Sequence, residues 1–299
     1  MHPLVIFGPT AVGKTKLAIE LAKGLNGEII SADSMQVYRG MDIGTAKPTA
    51  EERQGIPHHL IDVRNPDEEW TVSDFVGESQ KLKVKIKNNG RLPIIVGGTG
   101  LYLWSLLEGF SFPITPADKE LRARLEQQPA STLYSLLTNA DPASATKIHA
   151  NDKKRLIRAL EVYELTGKPI SQLQEPRRSV AGSYKLIGLD FPRPELYARI
   201  DQRVDSMIAK GLVDEVKGLL AKGYSKELNS FQALGYKEVV EYLDGRWTMD
   251  EMVAELKKRT RHFARRQMTW FRRFHNVHWF PPGEKDAIIQ QCQGPDSKR

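Results

Sequence analysis

The sequence predicts an α/β protein in which a parallel sheet is flanked by helices and carries an inserted, wholly helical domain. Short apolar runs alternate with amphipathic stretches over residues 1–112, which is the pattern of parallel strands joined by crossover helices. Over residues 113–183 the apolar residues recur at helical spacing and no strand is evident. We therefore predict a first core part at 1–112, a helical insertion at 113–183 and a core completion at 184–299.

Strands are predicted where a short apolar run lies between turn residues. The predicted strands are Leu4–Phe7, Glu28–Ile30, Leu60–Val63, Pro93–Val96, Tyr184–Phe191 and Val277–Phe280. Helices are predicted where apolar residues return every three to four positions. They are Lys14–Leu25, Val72–Lys87, Ala117–Gln127, Ser131–Ala140, Asp152–Thr166 and several long segments between Phe191 and Arg273. Asn151 is predicted to cap the helix that Gly167 ends, and the tail from Gly283 is predicted to have little structure.

Composition indicates a protein of the reducing interior of the cell. Among 299 residues, 44 Lys and Arg exceed 37 Asp and Glu, a formal charge of +7. Cys292 is the only cysteine, so no intramolecular disulfide can form. The apolar run at Leu4 is too short for a signal peptide, and no stretch reaches the ~20 apolar residues of a membrane span. We expect a cytoplasmic, monomeric protein that does not associate with a membrane.

A phosphate-binding loop follows the first predicted strand and opens the first predicted helix. The residues that match the G-x-x-x-x-G-K-[ST] pattern are Gly8, Pro9, Thr10, Ala11, Val12, Gly13, Lys14 and Thr15. Such a loop turns backbone N–H groups toward phosphate oxygens, and the helix N-terminus favours negative charge. Lys14 supplies a cation for the outer phosphate, and the Thr15 hydroxyl is a ligand for Mg²⁺. The core is thus predicted to be P-loop NTPase-like and to bind a diphosphate or triphosphate group, such as that of a nucleotide like ATP.

Asp33 follows the second strand, where ligands bind in open α/β sheets. It is a candidate to hold Mg²⁺ or to accept a proton, although Asp is also common in turns. The strand at 93–96 ends in Gly97-Gly98-Thr99-Gly100 and carries no terminal carboxylate, which argues against an ordinary ATPase. The glycines either let a substrate approach the backbone or form a tight turn, and Thr99 offers a hydroxyl.

A longer run resembles a known family. Residues Asp33–Thr49, DSMQVYRGMDIGTAKPT, resemble the signature of bacterial tRNA dimethylallyltransferases, and similar matches occur at Pro57–Asp62, Val96–Tyr102 and Asn151–Glu161. The resemblance extends from residue 4 to about residue 280. It implies transfer of a dimethylallyl group from dimethylallyl diphosphate to N6 of the tRNA adenosine immediately 3′ of the anticodon, at position 37. It further implies that the phosphate loop holds the prenyl diphosphate with Mg²⁺.

The resemblance also implies roles for single residues. Asp33 matches the proposed general base, and Arg203 matches an arginine near the diphosphate. With Lys14, Thr15 and Thr99, they form the predicted catalytic set. Residues implied to contact the tRNA anticodon stem-loop are Asp33, Ser34, Met35, Gln36, Thr99, Lys154, Arg155, Leu156, Ile157 and Arg158.

Two basic clusters give separate support for an RNA partner. Lys257–Arg273 contains eight Lys or Arg residues and no acid, and its Ala264, Met268, Phe271 and Phe274 can pack on the core. Lys258, Arg261, Arg265 and Arg272 are then free to follow a phosphate backbone. The second cluster is Lys153, Lys154, Arg155 and Arg158. His58 and His59 are assigned structural roles, because adjacent strand residues face opposite sides and no further ligands complete a metal site.

Three other functions share some of these features. A P-loop kinase of a small metabolite would use the loop and Asp33 but would not need two basic clusters. A prenyltransferase acting on free AMP or ATP would need the same chemistry without tRNA. A non-catalytic RNA-binding protein would retain the loop without using Asp33 as a base.

Overall fold

The structure is a computed structural model that describes residues 2–109, 117–173 and 180–293. Its internal contacts divide the chain into two units, Met1–Trp104 with Val180–Arg299, and Ser105–Ser179. The first contains every strand of the sheet and the second is helical among its described residues. No helix in the described ranges is both long and apolar enough to cross a membrane.

Six parallel strands form the sheet of the first unit in the order β3-β2-β4-β1-β5-β6. Their bounds are Leu4–Phe7 for β1, Gly27–Ser31 for β2, His58–His59 for β3, Leu92–Gly97 for β4, Lys185–Leu189 for β5 and Val277–Phe280 for β6. The four residues of β1 are all buried, as expected of a central strand covered on both faces. The predicted α/β class with a parallel sheet is confirmed.

The helices cover both faces of the sheet and build the second unit. In chain order they are α1 Lys14–Gly24, α2 Ala50–Arg53, α3 Val72–Asn88, α4 Gly100–Glu108, α5 Lys119–Glu126, α6 Ala130–Ala140, α7 Pro142–Ala145, α8 Lys153–Thr166, α9 Ile170–Leu173, α10 Arg193–Ala209, α11 Leu212–Ala221, α12 Tyr236–Leu243, α13 Met249–Phe271 and α14 Lys285–Gln293. Capping boxes begin α3 at Thr71 and α13 at Thr248, where the cap hydroxyl and the third-residue carboxylate satisfy free N–H groups.

The strand predicted at Leu60–Val63 is wrong. Strand β3 lies two residues earlier, and Leu60 and Asp62 have positive φ angles of 61° and 56°, which break an extended chain. The N–H of Val63 donates to the carbonyl of Val37 in the loop after β2 rather than to a sheet partner. Of the apolar side chains that suggested a strand, Leu60 and Ile61 are buried and Val63 is half-buried.

The tail also differs from the prediction. Residues 285–293 form helix α14, and Ile288 is fully buried in the core cluster that contains Leu17 and Leu21 of α1. A single apolar pair, Ile288 and Ile289, supplies this contact, which is too little to give a helical period against the polar background.

In the second unit, α8 packs with α5 and α6 around a leucine-rich core. Its N-cap is Asp152, whose carboxylate accepts from the N–H of Arg155, so the predicted Asn151 cap is wrong by one residue. Gly167 ends the helix with φ 68°, as predicted. Burial by itself would raise the pKa of the Glu161 carboxyl, but hydrogen bonds from Arg122 and Arg158 outweigh it and lower that pKa.

Candidate functional site

Three candidate segments meet at one edge of the sheet. Strand β4 lies between β1 and β2, so the segments that follow the carboxyl ends of these parallel strands are neighbours. The phosphate-binding loop follows β1, Asp33 follows β2, and Gly98 and Thr99 follow β4. They line a cavity of ≈ 1370 Å³ whose other walls come from α10 and α13, including Arg203, Arg266 and Gln267.

The loop after β1 has the conformation that its glycines predict. A Cβ on Gly8 would lie 2.5 Å from the carbonyl oxygen of Leu189, so only glycine leaves room for the neighbouring strand. Gly13 and Ala11 have positive φ angles of 96° and 65°, which curl the chain before α1 begins. The Lys14 ammonium donates to the carbonyl of Pro9 over 2.7 Å, so it lies across the loop.

Lys14 is one of two cations at this loop. Burial lowers the pKa of Lys14 to about 7; the charge of Arg203 also lowers it, and the carboxylate of Asp33 opposes both. Burial likewise lowers the pKa of Arg203, against the opposing effect of Asp33. Two partly desolvated cations beside a curled loop favour a multiply charged anion, which would relieve their repulsion.

This pKa predicts a pH dependence of anion binding. In the free protein Lys14 is charged below pH about 7 and loses its proton above it. We expect the affinity for inorganic pyrophosphate, measured by calorimetry from about pH 6 to about pH 9, to fall above pH about 7 relative to the affinity of Lys14→Met. The protonation of pyrophosphate itself affects both proteins equally, so it cancels from the ratio of their two affinities. A ratio that is constant across this range would contradict the prediction.

Asp33 is held in a fixed orientation by its own loop. One carboxylate oxygen accepts from the N–H groups of Met35, over 2.9 Å, and Gln36, over 3.3 Å. The Thr99 hydroxyl oxygen accepts from the N–H of Ser34 over 3.1 Å, which joins the segments after β2 and β4. The structure thus brings Asp33, Thr99, Lys14, Thr15 and the lining side chains of Ser34, Met35, Gln36 and Arg203 to one cavity.

The glycines after β4 serve the packing of the chain itself. A Cβ on Gly97 would lie 2.1 Å from the Ala32 carbonyl oxygen, and one on Gly98 would lie 2.3 Å from the Gln267 amide nitrogen. Gly100 faces the ring of Trp270 in the same way, at 2.6 Å. Close approach is therefore the reason for these glycines, but the approaching groups are protein atoms rather than the substrate that we considered.

Much of the signature at 33–49 builds the wall of the cavity. The Glu215 carboxylate of α11 accepts from the N–H groups of Asp42, Ile43 and Gly44, and from the hydroxyl of Tyr236 over 2.6 Å. One carboxylate thus fixes a turn that has no regular structure of its own.

Lys47 fixes the other end of the same segment. Its buried ammonium donates to the carbonyl of Tyr38 and to the carboxylates of Asp42 and Asp62. These contacts give Lys47 and Asp42 of the segment at 33–49 a structural role, in addition to the residues of that segment that line the cavity.

Sequence reasoning missed Gln267. It is 4% exposed on α13, and its amide bonds to the phosphate-binding loop and to the segment after β4. The signal that could have revealed it is its position three residues after Ala264 and four before Phe271, on the stripe that packs on the core. A polar residue on such a stripe requires partners.

The basic helix α13 is packed as predicted, and only part of its charge is free. Ala264, Phe271 and Phe274 are buried. Arg261 donates to both oxygens of Asp201, and Lys258 pairs with Glu255. Arg265 and Arg272 are exposed, and within the described part of the chain neither forms an ion pair.

The second basic cluster lies at the start of α8, in the other unit. Lys154 and Arg155 are exposed, whereas Arg158 donates to buried Glu161. Leu156 is fully buried and Ile157 is 5% exposed in the core of that unit. The prediction of RNA contacts is therefore corrected for these two side chains, because packing occupies them.

His59 has the structural role predicted for it, since its ring lies 2.6 Å from the carboxylate of Glu28. His58 contacts the carbonyl of Ile56 through Nδ1 and lines the cavity. Among the described residues, no group of three His, Cys, Asp or Glu side chains could hold a metal on its own. The Thr15 hydroxyl and the Asp33 carboxylate line the cavity, and these are oxygen ligands of the kind that Mg²⁺ uses together with substrate phosphates.

Comparison with known proteins gives one consistent result. The model of the family described as "IPP transferase" matches residues 36–274. A tRNA dimethylallyltransferase of Carboxydothermus hydrogenoformans is 51% identical, covering 94% of this chain and 92% of that protein. A tRNA dimethylallyltransferase of Acetivibrio thermocellus is 52% identical, covering 95% of this chain and 93% of that protein.

Solved structures agree. The tRNA isopentenylpyrophosphate transferase of Bacillus halodurans has a TM-score of 0.71 at 46% identity, with 98% of this chain and 94% of that one covered. A eukaryotic dimethylallyltransferase acting on tRNA has a TM-score of 0.82 at 31% identity, with 96% of this chain and 77% of that one covered.

Proposed function

This chain belongs to the IPP transferase family, and from that membership we propose that it transfers a dimethylallyl group from dimethylallyl diphosphate to tRNA. The acceptor is N6 of the adenosine immediately 3′ of the anticodon. The observation that carries this proposal is one cavity in which a phosphate-binding loop with two cations faces the oriented carboxylate of Asp33.

The cations and the loop act on the leaving group. An allylic diphosphate ionises readily, and negative charge accumulates on the diphosphate as its C–O bond breaks. Lys14, Arg203 and the N–H groups of the loop are placed to stabilise that charge, which is the largest contribution expected in such a reaction. In this role the loop binds the departing diphosphate and stabilises its charge.

Asp33 acts on the acceptor. The exocyclic amine of adenine is a poor nucleophile whose proton becomes acidic as the nitrogen attacks. One oxygen of Asp33 is held by two backbone N–H groups, which orients the carboxylate to take that proton. A base in an RNA loop reaches such a site only when it is unstacked and inserted.

Mg²⁺ is part of the proposal. Thr15 would hold it together with the diphosphate, where it would supply additional positive charge for the leaving group. Every other step above uses groups of this chain.

The exposed arginines of α13 are proposed to contact RNA phosphates. We expect the logarithm of the tRNA affinity to fall linearly with the logarithm of the salt concentration, and Arg265→Gln or Arg272→Gln to reduce that slope by up to about 1 each. Filter binding at several salt concentrations measures it. The control is Lys23→Gln, which removes an exposed charge at the far end of α1. Equal slopes for all three variants would contradict these contacts.

The choice of acceptor tests the function. We expect radiolabelled dimethylallyl diphosphate to label a transcript of the anticodon stem-loop far better than free AMP or ATP. Better labelling of the free nucleotides would identify an adenylate prenyltransferase. Transfer of phosphate from ATP to a small acceptor, without any RNA labelling, would identify a kinase. The cytoplasmic location and the monomeric state stay predictions.

A further inference from the structure

We propose that Gln267 is the positioning residue of the phosphate-binding loop, and this rests on the proposed function in that the loop holds the diphosphate. Its side-chain oxygen accepts from the N–H of Thr10 over 2.8 Å, and its side-chain nitrogen donates to the carbonyl of Gly98 over 2.8 Å. One amide of α13 therefore joins the loop after β1 to the segment after β4.

The chemistry of these partners requires an amide. The backbone N–H of Thr10 can only donate, and the carbonyl of Gly98 can only accept. A side chain of this length must then offer an acceptor and a donor at the same time, which glutamine does. Both bonds are long-range in sequence and sit at a residue that is 4% exposed, so water competes weakly for them.

The hydrogen bond between Gln267 and Thr10 restrains the loop that binds the diphosphate. Thr10 lies within the loop, between Gly8 and Gly13, and its N–H is engaged by Gln267 instead of being left to a ligand. The loop has no regular structure, and Gly13, with φ 96°, is free to adopt many conformations, whereas Ala11, with φ 65°, must be held in a conformation that alanine disfavours. Gln267 removes that freedom before the diphosphate arrives, so less of the binding energy is lost in ordering the loop.

The space around the amide is also closed. A Cβ on Gly98 would lie 2.3 Å from the Gln267 nitrogen, so the amide occupies the room that a larger residue would need. The neighbours of Gln267 on α13, Ala264 and Phe271, are fully buried and fix the helix from which it projects.

Two replacements of Gln267 test whether its hydrogen bonds position the loop. Gln267→Met keeps the length and removes both hydrogen bonds without adding charge. We expect the Kd for inorganic pyrophosphate, measured by calorimetry without RNA, to rise about tenfold, while kcat at saturating prenyl diphosphate changes less than KM. The matched control is Gln80→Met, the same replacement at an exposed glutamine of α3 that lies outside the residues lining the cavity. It should leave the Kd within about twofold.

Gln267→Glu provides a pH signature that is read together with Gln267→Met, because an ionised carboxylate in the cavity also repels pyrophosphate. Positioning predicts that protonated Gln267→Glu binds as the wild type does while Gln267→Met stays weak at every pH, whereas charge repulsion alone would leave Gln267→Met at the wild-type affinity. Its carboxylate repels the Gly98 carbonyl, whereas its protonated form can donate to that carbonyl and accept from Thr10, as the amide does. The ratio of its Kd to that of the wild type should therefore fall toward one as the pH is lowered. The charged and titratable side chains that line the cavity, which include Lys14, Asp33, Arg203 and His262, are the same in both proteins, so their contributions largely cancel from the ratio.

The outcomes are distinct. Unchanged pyrophosphate affinity in folded Gln267→Met, or a pH-independent ratio for Gln267→Glu, overturns the positioning role even if the wild type binds pyrophosphate tightly. A wild type that does not bind pyrophosphate overturns the proposed function itself. Should the methionine variant not fold, Gln267→Leu, which also lacks both hydrogen bonds and adds no charge, takes its place.

Discussion

Replacing Asp33 with asparagine is expected to lower kcat for prenyl transfer about 10²- to 10⁴-fold, the usual contribution of a general base. Asparagine keeps the side-chain oxygen that accepts from the N–H groups of Met35 and Gln36, so the turn after β2 should persist. It removes only the ability to take a proton. Single-turnover kinetics with bound tRNA measure the loss, and the Kd for tRNA should stay within about twofold.

The control for this replacement is Asp190→Asn. Asp190 follows β5 at the same edge of the sheet, outside the residues that line the cavity, and should tolerate the change. If Asp33→Asn transferred the prenyl group at the wild-type rate, Asp33 would serve only to shape the turn.

Replacing Lys14 with methionine is expected to lower kcat/KM for the prenyl diphosphate by about 10²- to 10³-fold. Lys14 lies across the loop beside Arg203. Methionine fills much of the same space without the charge that stabilises the departing diphosphate. Steady-state kinetics at saturating tRNA measure the effect.

Lys16→Met is the matched control for Lys14→Met. Lys16 lies two residues further along α1, lines the same cavity and is exposed, so its charge is screened by water. We expect it to change kcat/KM by less than about threefold. Equal losses in the two variants would mean that net charge matters and that the position of the ammonium does not.

The sheet and its edge could be predicted because they depend on local patterns. The apolar run Leu4–Phe7 and the glycine spacing from Gly8 to Gly13 each have a local physical cause, and both appear as expected. Asp33 and Thr99 could be placed together because parallel strands end at one edge. The roles of these side chains are not visible in the fold and stay proposals.

The features that sequence reasoning missed depend on distant partners. Glu215 holds a turn 171 to 173 residues away, and Gln267 bonds to Thr10 257 residues away. Periodicity within one helix carries no information about such partners. The same limit explains β3, since the turn at Leu60 to Val63 is decided by bonds to Gln36 and Val37 rather than by its own apolar residues.

The most direct measurement of the central claim is the balance of products from one reaction. The protein is incubated with the anticodon stem-loop, dimethylallyl diphosphate and Mg²⁺, without ATP, and both the released pyrophosphate and the modified nucleoside are quantified. The account predicts one pyrophosphate for each N6-isopentenyladenosine, located immediately 3′ of the anticodon. Absence of the isopentenylated nucleoside, together with release of inorganic phosphate in a parallel reaction that contains ATP, would contradict it.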